Sequence, residues 1–153
     1  MRGLPTFRLD RGHVDTAVVL LDEVTQLYEE TLGVDHAWTA GARVALGYAL
    51  AQQGGLTEAE YHLHQALEML EAVDPESTTT NVQQHRTTAS LGLGLVHLRR
   101  GRYAEAEPLL MASYAALRDG VNTLRTTQAQ QYLNELQEAT SAPDDQIAST
   151  RTP

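Results

Sequence analysis

The chain has 153 residues, carries 20 acidic against 11 basic side chains for a formal charge of −9, and is 42% hydrophobic but only 5% aromatic. That length holds one domain with a real core; an apolar content drawn mostly from alanine and leucine favours helices packed through small side chains over sheet; and the negative field disfavours nucleic acid and anionic membranes as partners. Every cation is an arginine and cysteine is absent, which removes P-loop phosphate binding, Schiff-base chemistry, thiol nucleophiles, thiolate metal sites and disulfides.

In chain order, MRGLPTFRLDRG has arginines but no apolar run of signal length, and the longest strongly apolar stretch, AVVLL at 17–21, is far too short for a membrane span. A soluble, cytoplasmic chain is expected, with residues 1–13 as a lead-in. The spacing predicts a first helix over 14–32. Its Val14, Val18 and Leu21 are expected to form the open edge, so that either an earlier helix precedes this chain in a longer array or the edge docks on something else. Asp35 is the expected cap of a second helix, 36–53. A Gly-Gly break leads to a third, 56–73, where Thr57 and Glu60 fit a capping box. Polar turn formers in DPESTTTNVQQHR, 74–86, predict a lengthened loop. Helices follow at 84–100, 103–118 and 123–139. In the fifth, Ala104 stands at the cap position and Pro108, four residues on, predicts a slight kink. Residues 140–153 are expected to form a disordered polar tail outside a 14–139 domain.

Three stretches repeat one another. GGLTEAEYHLHQALEML at 54–70 is nearly restated as GRYAEAEPLLMASYAAL at 101–117, with a looser copy, GHVDTAVVLLDEVTQLY, at 12–28. Ala17, Ala59 and Ala106 fall at the same point of each, as do Gly12, Gly54 and Gly101, at intervals of 42 and 47 residues. Self-similarity with such a period predicts a solenoid of stacked helix pairs. Leu46, Leu50, Ala59, Leu63, Ala66, Leu67 and Leu70 keep spacings of three and four around the break. Gly47 and Gly94 stand inside predicted helices, where glycine costs about 1 kcal/mol against alanine. Close approach of two backbones, near the ~8 Å lower end of interaxial distances, is the reason expected for both.

Leu46-Gly47, Leu50, Ala59, Leu63 and Ala66, with Leu93-Gly94, Ala106 and Leu110 in the next unit, resemble the tetratricopeptide repeat. The long period, ETLGVDHAWTAGA at 30–42 and GRYAEAEPLL at 101–110 look like the variety found in kinesin light chains and bacterial signalling proteins. The resemblance covers residues 12–137. It departs from the family where an aromatic is replaced by Leu50 and His97, and where Ala37 stands in place of a proline. The resemblance implies an all-α, right-handed α-solenoid of antiparallel hairpins with about six helices. It further implies a noncatalytic protein- or peptide-binding module, a scaffold or adaptor in a larger signalling or assembly system. The alternatives are a self-associating structural element and the C-terminal regulatory region of a multidomain enzyme such as a bacterial protein kinase. Carried over residue by residue, the family's groove positions are Val44, Tyr48 and Gln52 from one repeat and Leu91, Leu95 and Arg99 from the next. The lysine-and-asparagine clamp with which some relatives hold C-terminal carboxylates is not met.

Catalytic patterns are absent from the sequence. His62 and His64 sit two apart and diverge around a helix, where a zinc pair needs the one-face spacing of four; solvated helix positions are expected for both. His97 is expected in the core or groove wall. Glu58/Glu60 and Glu105/Glu107 diverge in the same way and read as a solvated face rather than an acid/base dyad. No G-x-S-x-G or glycine-rich phosphate loop occurs, so no enzyme activity, cofactor or metal is expected.

Overall fold

The computed structural model describes residues 3–34, 36–72, 80–120 and 123–151, with side chains described for 12–34, 36–72, 82–120 and 123–141. Among these residues there are six helices and no strand: α1 (Gly3–Thr31), α2 (Ala37–Gln53), α3 (Leu56–Ala72), α4 (Thr80–Arg99), α5 (Tyr103–Arg118) and α6 (Thr123–Arg151). The fold is the expected all-α helical repeat. Each helix packs on the next in sequence, and α2, α4 and α6 also pack side by side, while α1, α3 and α5 do not meet one another among the described residues. Two rows result. The row of α2, α4 and α6 is the tighter one, and its free side is the inner face of the array.

Two hairpins, α2–α3 and α4–α5, are built alike. Gly54 (φ 103°) and Gly101 (φ 77°) take left-handed conformations just after α2 and α4. Their amides close the helix ends on Ala51 and Leu50 carbonyls in one case and on Leu98 in the other, a task glycine does without a Cβ penalty. At Gly47 the expected close approach to the partner backbone is met at the Ala59 carbonyl, whereas the nearest atoms at Gly94 all belong to leucine side chains. An added Cβ on Gly47 would lie 2.7 Å from Leu63 Cγ and 3.4 Å from the Ala59 carbonyl oxygen, and one on Gly94 would lie 2.7 Å from Leu110 Cδ2. In both hairpins the leucine four residues beyond the repeat's alanine fills the space. A third glycine completes the stack: a Cβ on Gly92 of α4 would lie 2.8 Å from Leu63 Cδ1. Leu63, fully buried, is therefore held between a glycine of its own hairpin and one of the next.

Several local expectations need correction. Helix α1 begins at Gly3 and α6 ends at Arg151, beyond the expected 14–32 and 123–139. Residues 80–83, expected in the loop alone, are the start of α4; Asn81 and the Thr80 before it are good residues for a helix start, and the glutamines that follow are helix formers. Asp35 lies outside the described residues, and the cap of α2 is His36, whose Nδ1 accepts from the Trp38 amide at 3.0 Å. The capping box at Thr57 and Glu60 does not form at the start of α3. Both side chains instead receive Arg100 from the end of α4, at 3.1 Å to Thr57 Oγ1 and 2.7 Å to Glu60 Oε1. The α5 cap is Arg102, not Ala104, so Pro108 lies deeper than expected, yet the helix runs unbroken to Arg118.

The open edge also turns around. Val18 and Leu21 pack against the core and Val14 is half-buried, so this face meets α2 and is not the array's free edge. A helix buries the side where apolar residues are densest. What α1 leaves outside is a second stripe with Val19, Leu20 and Leu27.

Candidate functional site

The inner face is the surface the sequence singled out, and its six residues separate into two groups. Val44, Tyr48, Leu91 and Leu95 are each no more than 1% exposed. As direct contacts for a partner Tyr48, Leu91 and Leu95 must be corrected, since their side chains are buried in the core; Val44, though buried, still lines the cleft described below. Gln52 is half-buried and Arg99 exposed. Leu91 and Leu95 lie on consecutive turns of α4, between the rows, where a leucine finds more apolar area than on an open groove wall.

Tyr48 shows why the face is sealed at its middle. Its hydroxyl donates to Gln128 Oε1 of α6 at 2.7 Å and lies 3.1 Å from the Tyr132 hydroxyl. The Arg125 guanidinium sits 4.2 Å above the Tyr48 ring and also donates to Gln128 Oε1 at 3.2 Å. Burial, then the Tyr132 hydroxyl, pushes the Tyr48 phenol well above the ordinary tyrosine range, so it stays a neutral donor. Arg99, from α4, pairs with Glu135 of α6 at 2.5 Å and stands 5.9 Å from the Tyr132 ring. These contacts tie α6 back across α4 to α2. A buried hydroxyl with two partners fixes geometry more than it adds net energy, about 1 kcal/mol for a typical bond.

On the other side of this bridge, toward the starts of α2, α4 and α6, the face opens into a cleft of about 870 Å³. Gly41 and Ala45, Gln84, His85 and Thr88, and Leu124 and Arg125 supply one group of walls from each of the three helices. The size lies in the range of ligand-binding clefts. His85 crosses from α4 toward α2, where a Cβ on Gly41 would lie 2.6 Å from its Nε2. Burial holds the His85 imidazole below its usual range. The end of α5 and the turn after it complete the lining with Leu117 and Asp119, so the cleft offers amides, hydroxyls and an imidazole together with one carboxylate and one arginine.

Two further clusters link the elements. Arg43 of α2 donates to Glu29 of α1 and, at 3.1 Å, to Nδ1 of His62 on α3. Arginine has no acceptor, so Nδ1 of His62 must be unprotonated and the proton must reside on Nε2. Burial first, then the Arg43 charge, lowers the His62 affinity for a second proton. His62 is therefore a bridge partner, not the solvated position expected. His97 Nδ1 lies 3.5 Å from the Glu105 carboxylate, within the α4–α5 hairpin, at the core edge expected of it. Among the described residues no group of three or more His, Asp or Glu side chains is placed to hold a metal ion, and no helix is long and apolar enough to cross a membrane.

The paired hairpins thus seat Leu63 and Leu110 in glycine notches beside the inner row of helices. Residues 6–72 match the tetratricopeptide repeat. The match spans α1, α2 and α3, and the structure carries the same hairpin on into α4–α5. Tetratricopeptide repeats generally mediate protein–protein interaction. No curated protein and no solved structure matches the chain significantly. Of the features that shape the site, the bridge from Tyr48 to Tyr132 had no signal in the sequence, because it joins residues 84 apart through side chains alone. The cleft residues His85, Gln84 and Thr88 lay in a segment read as loop or helix start; the Gln-Gln-His run there was the available hint.

Proposed function

We propose that the chain is a noncatalytic binding module that takes a peptide or protein segment in the cleft at the starts of α2, α4 and α6. The observation that carries this reading is the cleft itself: three helices from successive repeats contribute to one concavity of about 870 Å³. Amide and hydroxyl side chains there can pair with the backbone of an extended segment, and Leu124, among the most exposed leucines, offers an apolar contact at the rim. Gln52 and Arg99 border the same face beyond the bridge. Val44 lines the cleft, while Tyr48, Leu91 and Leu95 act behind the surface, fixing the walls so that little order has to be gained on binding. The long repeat period and the GRYAEAEPLL motif support placing the module with the kinesin-light-chain-like variety, as a cytoplasmic scaffold or adaptor within a larger signalling or assembly system.

A displayed library of unstructured 12- to 15-residue peptides tests this. Peptides selected on the protein are expected to lose about tenfold or more in affinity when Thr88→Trp fills the cleft, and to be indifferent to Arg118→Ala on the exposed end of α5. Selected peptides that ignore Thr88→Trp would place the binding surface elsewhere.

A further inference from the structure

Among the described residues that line the cleft, His85 is the one whose side chain ionises near neutral pH. Its ring leaves α4 and lies against the backbone of α2, where a Cβ on Gly41 would stand 2.6 Å from Nε2, 2.8 Å from Cε1 and 3.2 Å from Cδ2. The imidazole fills the space that any other residue at 41 would claim, and so it forms part of the cleft wall between two repeats. It is half-buried, and no hydrogen bond to its ring is formed among the described residues. In the open cleft it relies on solvent.

The charges around it offer no substitute for that solvent. Helices α2, α3, α5 and α6 all pack on α4. Of these, α2 brings only uncharged residues to the cleft and α3 brings none, while the turn after α5 brings Asp119 and α6 brings Arg125. The Arg125 guanidinium is turned onto the Tyr48 ring and Gln128, and Asp119 lies 3.9 Å from its neighbour Arg118. On α4 itself, Arg86 reaches the Leu70 carbonyl of α3 at 3.4 Å. The low proton affinity of His85 comes from burial, with no share from any of these charges. An imidazolium here has no carboxylate to pair with, and a segment seated in the cleft strips away its water. Burial without a partner costs the charged form far more than the neutral one. The formal charge of −9 further disfavours a segment that would supply the missing carboxylate.

We propose that the cleft is an acid-released site: it takes a segment that brings no carboxylate to His85, holds it against the neutral imidazole, and gives it up when that imidazole is protonated. This rests on the reading of the cleft as a peptide-binding site and assigns its response to acid. An occupied cleft that binds one proton fewer loses affinity by about tenfold per pH unit below the midpoint of the free imidazole, and is insensitive to pH well above it.

Peptides selected on the cleft are remade with blocked ends and without histidine, and their affinities are measured at pH 7.5 and pH 5.0, with circular dichroism confirming the fold at both. A fall of about three- to tenfold on acidification is expected. In His85→Gln, whatever its affinity at pH 7.5, the two affinities should agree to within about twofold. His62→Gln removes another imidazole of low proton affinity, on α3 and outside the cleft, and should leave the fall in place. In the unaltered protein, the His85 Cε1 proton followed by NMR should titrate at lower pH with peptide bound than without. Peptides that respond to Thr88→Trp but bind equally at both pH values, tighten in acid, or keep their pH dependence in His85→Gln would overturn the proposal and leave the cleft reading standing. So would a His85 midpoint that bound peptide does not lower. Peptides indifferent to Thr88→Trp, or none selected at all, would remove the cleft reading and this proposal with it.

Discussion

Replacing Gly92 by alanine sets helix propensity against packing. Alanine is favoured over glycine inside a helix by about 1 kcal/mol. The new methyl, however, would sit 2.8 Å from Leu63 Cδ1, and Leu63 cannot yield because the backbone of Gly47 closes its other side, with a Cβ position 2.7 Å from Leu63 Cγ. Overpacking of this kind costs about 1 to 3 kcal/mol, so Gly92→Ala is expected to destabilise the chain by up to about 2 kcal/mol despite its better propensity. Leu63→Ala alone, at a fully buried site, is expected to cost about 2 to 5 kcal/mol. In that background the clash with Leu63 is gone and the nearest remaining contact of the three is Tyr48 Cδ1, at 3.3 Å, so the same Gly92→Ala change should be less destabilising than in the parent by about 1 to 3 kcal/mol. Urea unfolding followed by far-UV circular dichroism gives the four stabilities. The coupling between the two positions should be about 1 to 3 kcal/mol. Additivity to within about 0.5 kcal/mol would show that Leu63 does not join the two hairpins.

Tyr48→Phe removes the hydroxyl shared by Gln128 and Tyr132 and should cost about 1 kcal/mol, with faster amide exchange concentrated in α6; uniform loss of protection would argue against the bridge. Arg100→Met cuts the link from the end of α4 to Thr57 and Glu60, and should cost about 1 kcal/mol at low salt and less at high salt. Arg100 also holds the Glu60 carboxyl below its usual range, so the part of this loss that depends on charge is present above pH 4.5 and disappears as pH falls below it. His85 and His62 have folded-state affinities for the proton below the unfolded value of 6.5. The unfolded chain then binds more protons as pH falls through 6.5, and stability should decline on acidification from pH 7.5 toward 5.5. His85→Gln should make that decline shallower, as read from urea midpoints at the two pH values; an unchanged slope would mean His85 is solvated.

The architecture was legible because it rests on short-range pattern. Apolar spacing around Gly54 and Gly101 marks both hairpins, and the glycines at 47 and 94 announce close approach before any coordinates, since nothing else justifies their place in a helix. Contacts between repeats were not legible. Thr57 and Glu60 have the spacing of a capping box, but Arg100, in the next repeat, outcompetes the local amides with a charged fork. The edge was inverted for a related reason: α1 carries two apolar stripes, and spacing alone does not say which one α2 will cover. Tyr48 was read from the resemblance as a groove contact, yet α6 approaches closely enough for Tyr132 and Gln128 to reach it, and that distance is set by tertiary stacking.

Stacking of the two hairpins around Leu63 is the claim on which the cleft, the bridge and the orientation of α1 all depend. Selective methyl labelling of leucine, with nuclear Overhauser contacts read from the Leu63 methyls, tests it most directly. Strong contacts to the α-protons of both Gly47 and Gly92 are predicted, together with one to the Tyr48 ring. Contacts to Gly47 without any to Gly92 would show two hairpins that fold separately, and would contradict the account.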